Sequence, residues 1–68
     1  MSLTEAPAIA PLLHSIPTAA KMLGVGRSTV YELMSENKLR SVHLGRRRMI
    51  PDSALRLFVQ NLAAEAGA

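Results

Sequence analysis

The chain has no cysteine, so no disulfide can brace it and no thiolate zinc site can form. This absence fits a reducing cytosol. Acids are scarce: five Asp and Glu residues in 68, widely scattered, which leaves no paired carboxylates for general acid–base work. The four glycines make no phosphate-cradling loop. His14 and His43 stand alone in sequence, the usual setting of a surface or packing histidine rather than of a metal ligand. No nucleophile and base can be paired. The chain therefore reads as a non-enzyme with no metal and no cofactor. Its start lacks a basic n-region followed by an apolar run, so no signal peptide is expected. No apolar stretch approaches the roughly 20 residues that cross a bilayer. A cytoplasmic protein without a membrane partner is the expectation.

What is abundant is positive charge in one place. Between Lys21 and Arg48 lie Lys21, Arg27, Lys38, Arg40, Arg46, Arg47 and Arg48, against Glu32 and Glu36 alone, which makes that segment +5. The remainder is −2, from Arg56 against Glu5, Asp52 and Glu65. A clustered charge of this kind on a small domain suits a polyanionic partner. The length, 68 residues, allows one domain with a small core, since so short a chain buries only about 60% of its unfolded surface.

Along the chain, residues 1–11 carry two prolines and little periodicity, and read as a flexible arm. Leu12, Leu13 and His14 can add a short strand. A helix over Pro17–Leu23 follows, with Pro17 in the first turn, where its missing N–H costs nothing. Ser15 or Thr18 can cap it. Ile16, Ala19, Ala20 and Leu23 share one face. Gly24-Val25-Gly26 ends the helix, with Val25 placed to plug the angle to the next one. That second helix spans Arg27–Glu36. Val30, Leu33 and Met34 face inward, and Arg27, Ser28, Thr29, Tyr31, Glu32 and Ser35 face outward. Asn37 suits a left-handed terminator. Leu39–Leu44 reads as a strand with Val42 and Leu44 on one side. Gly45-Arg46 reads as a turn and Arg48–Ile50 as the return strand, with Pro51 stopping the hairpin. Asp52 or Ser53 caps a third helix over Ser53–Ala64, with Leu55, Phe58, Val59 and Leu62 as its apolar face. Residues 65–68 are expected to fray. The fold class is mainly α with a small β-hairpin: a winged helix-turn-helix occupying residues 12–64.

The second helix is about 15 Å long and fits a major groove about 12 Å wide. Its first turn offers free backbone N–H groups and a positive dipole end for a phosphate. Arg27 can grip guanine O6 and N7, while Ser28 and Thr29 suit phosphates, base edges or simple helix capping. Tyr31 can reach a phosphate with its hydroxyl or be a partly buried surface aromatic. Arg46, Arg47 and Arg48 at a hairpin tip suit a narrowed minor groove, or else serve as a charged edge that protects a sheet. Lys38 and Arg40 add backbone contacts.

From Ile16 to Met34 the chain reads IPTAAKMLGVGRSTVYELM. Paired alanines, Leu-Gly-Val, then Arg-Ser-Thr-Val-Tyr resemble the helix-turn-helix of the excisionase family within the MerR superfamily. Leu44-Gly45-Arg46-Arg47 and Ile50-Pro51 resemble that family's wing. The likeness covers about Ser15 to Leu62. It implies a winged helix that binds double-stranded DNA, with the second helix in the major groove and the hairpin in the minor groove. By the same resemblance, Arg27, Ser28, Thr29, Tyr31, Arg46 and Arg47 face the DNA. Family excisionases come from phages and mobile elements. They bind side by side near an attachment site, bend it, and direct a tyrosine integrase toward excision, which implies a bacterial cytoplasm and nucleoid. Three positions depart from the family pattern. Gly26 stands where the family often has Ser, Glu32 where it often has a base, and Arg48-Met49 where the wing usually has an aromatic and then a base. Glu32 can accept from a cytosine amine or hold Arg27 or Arg40 in place.

One short helix and one wing read only a few base pairs, so useful specificity needs neighbours on the DNA. No heptad run follows the third helix, so head-to-tail association is expected rather than a two-fold dimer. The apolar residues Ile9, Leu12 and Leu13 are expected to pack on their own domain, with a neighbouring copy as the other option. Two other functions fit the same residues: a small phage transcriptional regulator of this fold, and a protein-interaction adaptor.

Overall fold

The computed structural model describes residues 9–67. The element order is β1 (Leu13–Ser15), α1 (Ile16–Leu23), α2 (Arg27–Ser35), β2 (Val42–Leu44), β3 (Arg47–Pro51) and α3 (Asp52–Gly67). The three strands form one antiparallel sheet in the order β1-β3-β2. The β2–β3 hairpin is the wing of a winged helix-turn-helix.

Each junction has a local cause. Ser15 ends β1 and caps α1: its Oγ accepts from the N–H of Thr18 at 3.3 Å. Pro17 then sits in the first turn, where no N–H is needed. Gly24 closes α1 at φ 75°, a left-handed value that carries no side-chain penalty in glycine. The Val25 N–H then reaches the Ala20 carbonyl at 3.0 Å, and that of Gly24 reaches Lys21 at 3.2 Å. The same closure ends α2. Asn37 takes φ 60°, the Lys38 N–H meets the Leu33 carbonyl at 2.9 Å, and the Asn37 N–H meets Met34 at 3.1 Å. At the wing tip, Gly45 at φ 62° opens a two-residue turn between the paired residues Leu44 and Arg47.

The core gathers Ile16, Ala19 and Ala20 of α1, Val30 and Met34 of α2, Leu39, Ile50, and Ala54 and Leu55 of α3. Leu23, Leu33 and Phe58 pack around it. The small Ala19 and Ala20 are both buried there. Ile50 of the central strand is fully buried.

His14 is buried opposite Ile50. Its Nε2 donates to Asp52 Oδ1 at 2.8 Å. Arg56 Nε donates to the other oxygen of Asp52, also at 2.8 Å. The Asp52 carboxyl is held below the ordinary carboxylate range, first by Arg56 and then by His14. This chain of polar contacts ties β1 to the start of α3, with the Asp52 N–H to Leu12 carbonyl bond of 2.8 Å beside it.

Several expectations shift. The strand expected over Leu39–Leu44 shortens to Val42–Leu44, because Leu39 is drawn into the core, 2% exposed. β3 is longer than expected at both ends because it pairs on both edges. Pro51 belongs to it, opposite Leu13, and the missing N–H is bypassed by that of Asp52. α1 starts one residue early at Ile16, and α2 ends at Ser35 with Glu36 as its cap. α3 runs on to Gly67, beyond the expected Ala64. Only its first half is covered: Val59 is 49% and Leu62 52% exposed. Val25 does not plug the helix angle; it lies on the surface. Ile9 and Leu12 stand in solvent rather than packing on the domain. Most of the expected flexible arm, residues 1–8, lies outside the described residues.

Candidate nucleic-acid interface

α2 is nine residues long, about 14 Å at 1.5 Å per residue. Its buried side is Val30 and Met34, with Leu33 half-buried. Arg27, Ser28, Tyr31, Glu32 and Ser35 are exposed, and Thr29 is half-buried at the flank. Arg27, Ser28, Thr29 and Tyr31, the residues expected to read DNA, thus lie together on one element, though not on one line. At 3.6 residues per turn, Ser28, Glu32 and Ser35 point most directly away from the core. Arg27 and Tyr31 flank that ridge on one side and Thr29 on the other.

The N-terminal turn of α2 is unusually bare. Gly26 caps it at φ −81°, ψ 165°, with no side-chain hydrogen bond. The first N–H groups of the helix therefore point outward without the usual hydroxyl partner, a setting that receives an anion well. The backbone angles of Gly26 suit any residue, and a Cβ there meets nothing within 4 Å. Gly26→Ser should therefore restore a cap and stiffen the unfolded chain. The expected gain is about 0.5–1.5 kcal/mol, seen as a melting temperature several degrees higher. A thermal melt with no rise would show that the hydroxyl finds no partner.

The wing splits its three arginines. Arg46 sits in the turn, while Arg47 and Arg48 are successive residues of β3 and point to opposite faces. Arg48 shares the face of the buried Ile50, and Arg47 that of Met49, Val42 and Leu44. Arg48 turns toward α2 and lines a cleft with Tyr31, Glu32, Met34 and Ser35. Its Nε donates to Ser41 Oγ at 2.9 Å. A second shallow cleft beside it is lined by Asn37, Arg40, Ser41 and Arg48. Arg46, Arg47 and Arg48 make no salt bridge among the described residues, whereas Lys38 Nζ lies 3.5 Å from Glu36 in a largely exposed pair. An exposed pair of this kind contributes little to stability.

The polar face of α2, the Lys38–Ser41 segment and the inner face of the wing thus border one concave basic surface. The parity of Arg48 was readable from Ile50 two residues on, and the outward ridge from the helical period. The Arg48–Ser41 bond and the burial of His14 had no sequence signal, since each joins residues from separate elements. Among the described residues no three His, Asp or Glu side chains come together as a metal site, and no helix is long and apolar enough to cross a membrane.

This arrangement is that of a winged helix-turn-helix DNA-binding protein. The helix-turn-helix domain family matches residues 15–63. Two curated relatives narrow the class. An excisionase of Streptomyces ambofaciens is 36% identical over 58 residues, covering 85% of this chain and 94% of that protein. A probable excisionase of Saccharopolyspora erythraea is 37% identical over 57 residues, covering 84% of this chain. The chain spans 58% of the length of that second relative. No solved structure gives a significant match. The chain belongs to the excisionase family of helix-turn-helix proteins.

Proposed function

We propose that this protein is an excisionase in action as well as in family: it binds side by side near the attachment site of a phage or mobile element, bends the DNA, and directs a tyrosine integrase toward excision. The observation that carries the DNA-binding geometry is the pairing of the polar face of α2 with a wing whose arginines have no acid partner among the described residues. In this reading residues 12–64 form the DNA-binding unit. α2 enters the major groove with Arg27, Ser28, Thr29 and Tyr31. Arg46 and Arg47 at the wing tip enter the flanking minor groove, where a narrowed A·T-rich stretch attracts arginine. The phosphate strand between the two grooves runs along the cleft, within reach of Arg48, Arg40, Lys38 and the Tyr31 hydroxyl.

One helix and one wing cover few base pairs, so specificity comes from several copies on repeated sites. The exposed Ile9 and Leu12, together with Leu57, Val59 and Leu62 on α3, supply apolar surface for a neighbouring copy bound head to tail. The partners are double-stranded DNA, further copies of the chain, and the integrase.

A circular-permutation gel shift tests the reading. Duplexes from the attachment region beside the nearest integrase gene are compared with promoter and scrambled DNA. Stepwise complexes whose mobility depends on site position are expected on attachment DNA. A single unbent complex on promoter DNA would instead make the protein a transcriptional regulator. Absence of salt-sensitive binding to any duplex would leave the winged helix as an adaptor for another protein.

A further inference from the structure

The acid at the centre of the basic face calls for a physical account. Of the two acids between Lys21 and Arg48, Glu36 is paired with Lys38 at 3.5 Å. Glu32 makes no salt bridge among the described residues, although it lines the same cleft as Arg48. Its helix neighbours give it no structural purpose. The positions three and four residues away are Ser28, Thr29, Ser35 and Glu36. None is a cation and one is a like charge, which is mildly unfavourable at that spacing. Glu32 is also exposed, so it supports no core contact. Yet it stands on the outermost ridge of α2, flanked by Ser28 and Ser35, the part of the helix that reaches deepest into a groove.

On that ridge a carboxylate faces base edges rather than the strands at the groove walls. A carboxylate is an acceptor only. Guanine offers N7 and O6, both acceptors, and thymine offers O4, so each repels it. Adenine offers the N6 amine, but with the N7 acceptor beside it. Cytosine offers the N4 amine with only a C–H alongside, and is the base edge that suits Glu best. We infer that Glu32 reads a cytosine through its N4 amine and acts as the base-discriminating residue of the recognition helix, rejecting other bases by acceptor–acceptor repulsion. The inference rests on the DNA-binding reading above and adds to it the base that is selected. It also assigns the acid a cost and a benefit. The charge weakens binding to every wrong duplex and is offset only where the cytosine is present, which raises specificity at the expense of affinity.

The test is selection from a library of randomised duplexes with the full 68-residue chain, its Glu32→Gln variant and its Glu32→Ala variant. Affinities are then measured on the selected duplex and its single-base-pair variants. Glu32 is exposed, so both variants should fold, and circular dichroism checks this. The wild-type motif is expected to contain a cytosine whose replacement weakens binding about 5- to 150-fold. Glu32→Gln should move the preference at that one position to adenine, whose N6 and N7 a glutamine grips in a bidentate pair. Glu32→Ala should lose the preference at that position alone while binding scrambled DNA more tightly than the wild type. Uniform tightening by both variants, with every base preference unchanged, would overturn the inference and make Glu32 a plain electrostatic brake. Wild-type binding with no enriched motif would overturn it too, leaving DNA binding intact. Failure of all three proteins to bind in a salt-dependent way would bring down the DNA-binding reading and this inference together.

Discussion

Replacing Arg46 and Arg47 together with alanine is expected to weaken binding to all duplexes, on the order of tenfold or more, without changing which sequence is preferred. Both side chains are exposed at the wing tip, and neither makes a salt bridge among the described residues. Their charges are therefore free to displace counterions from DNA. Each lost phosphate contact flattens the plot of log affinity against log salt by about 0.9 for a duplex. The double variant should therefore lose up to about 1.8 of that slope. The fold should not change, since Arg46 lies in the turn and Arg47 on the outer face of the sheet. Binding isotherms at several salt concentrations decide the matter. An unaltered slope would remove the wing from the DNA contacts, and an altered base preference would mean that it reads sequence.

The second large effect concerns the body of the domain. Ile50→Ala should unfold most of the protein at 37 °C. Ile50 is fully buried in the central strand, opposite His14 of β1 and in one core with residues of all three helices. Truncating such a residue costs about 2–5 kcal/mol, and a core of this size supplies only about 3–5 kcal/mol in total. Leu62→Ala is the control. Leu62 shares the apolar period of α3, but it is half exposed and its loss should fall within about 0.5 kcal/mol. Thermal melts followed by circular dichroism compare the two. Similar shifts for both would mean that the second half of α3 is part of the core after all, and that the exposed Leu62 is not what the fold presents in solution.

That pair of leucine and isoleucine positions shows where reading a sequence succeeds and where it stops. The period of Leu55, Phe58, Val59 and Leu62 placed a helix correctly, because an apolar stripe at spacings of three and four is a property of the segment itself. It did not say how much of the stripe would be covered. The covered part of the stripe ends at Phe58, which is partly buried against the core, while Val59 and Leu62 are about half exposed. The wing shows the same division. Gly45 and the flanking residues marked the turn, whereas the strand limits moved once β3 gained a second neighbour in β1. Glu32 was visible as an oddity among basic residues. The helical period also put it on the outward side; the packed structure added that no cation among the described residues pairs with it.

The sequence by itself determined the order of elements, the helix ends at Ser15, Gly24 and Asn37, the turn at Gly45, and the inward residues Val30, Leu33 and Met34. Each depends on hydrogen bonds or periodicity spanning only a few residues, so the chain encodes them locally. The tertiary structure alone decided that His14 is buried against Asp52, that Leu39 leaves the wing for the core, that Arg48 bonds to Ser41, and that Ile9 and Leu62 stay in solvent. Those outcomes depend on which surfaces distant segments cover, and burial is settled by the whole packed assembly rather than by any one segment.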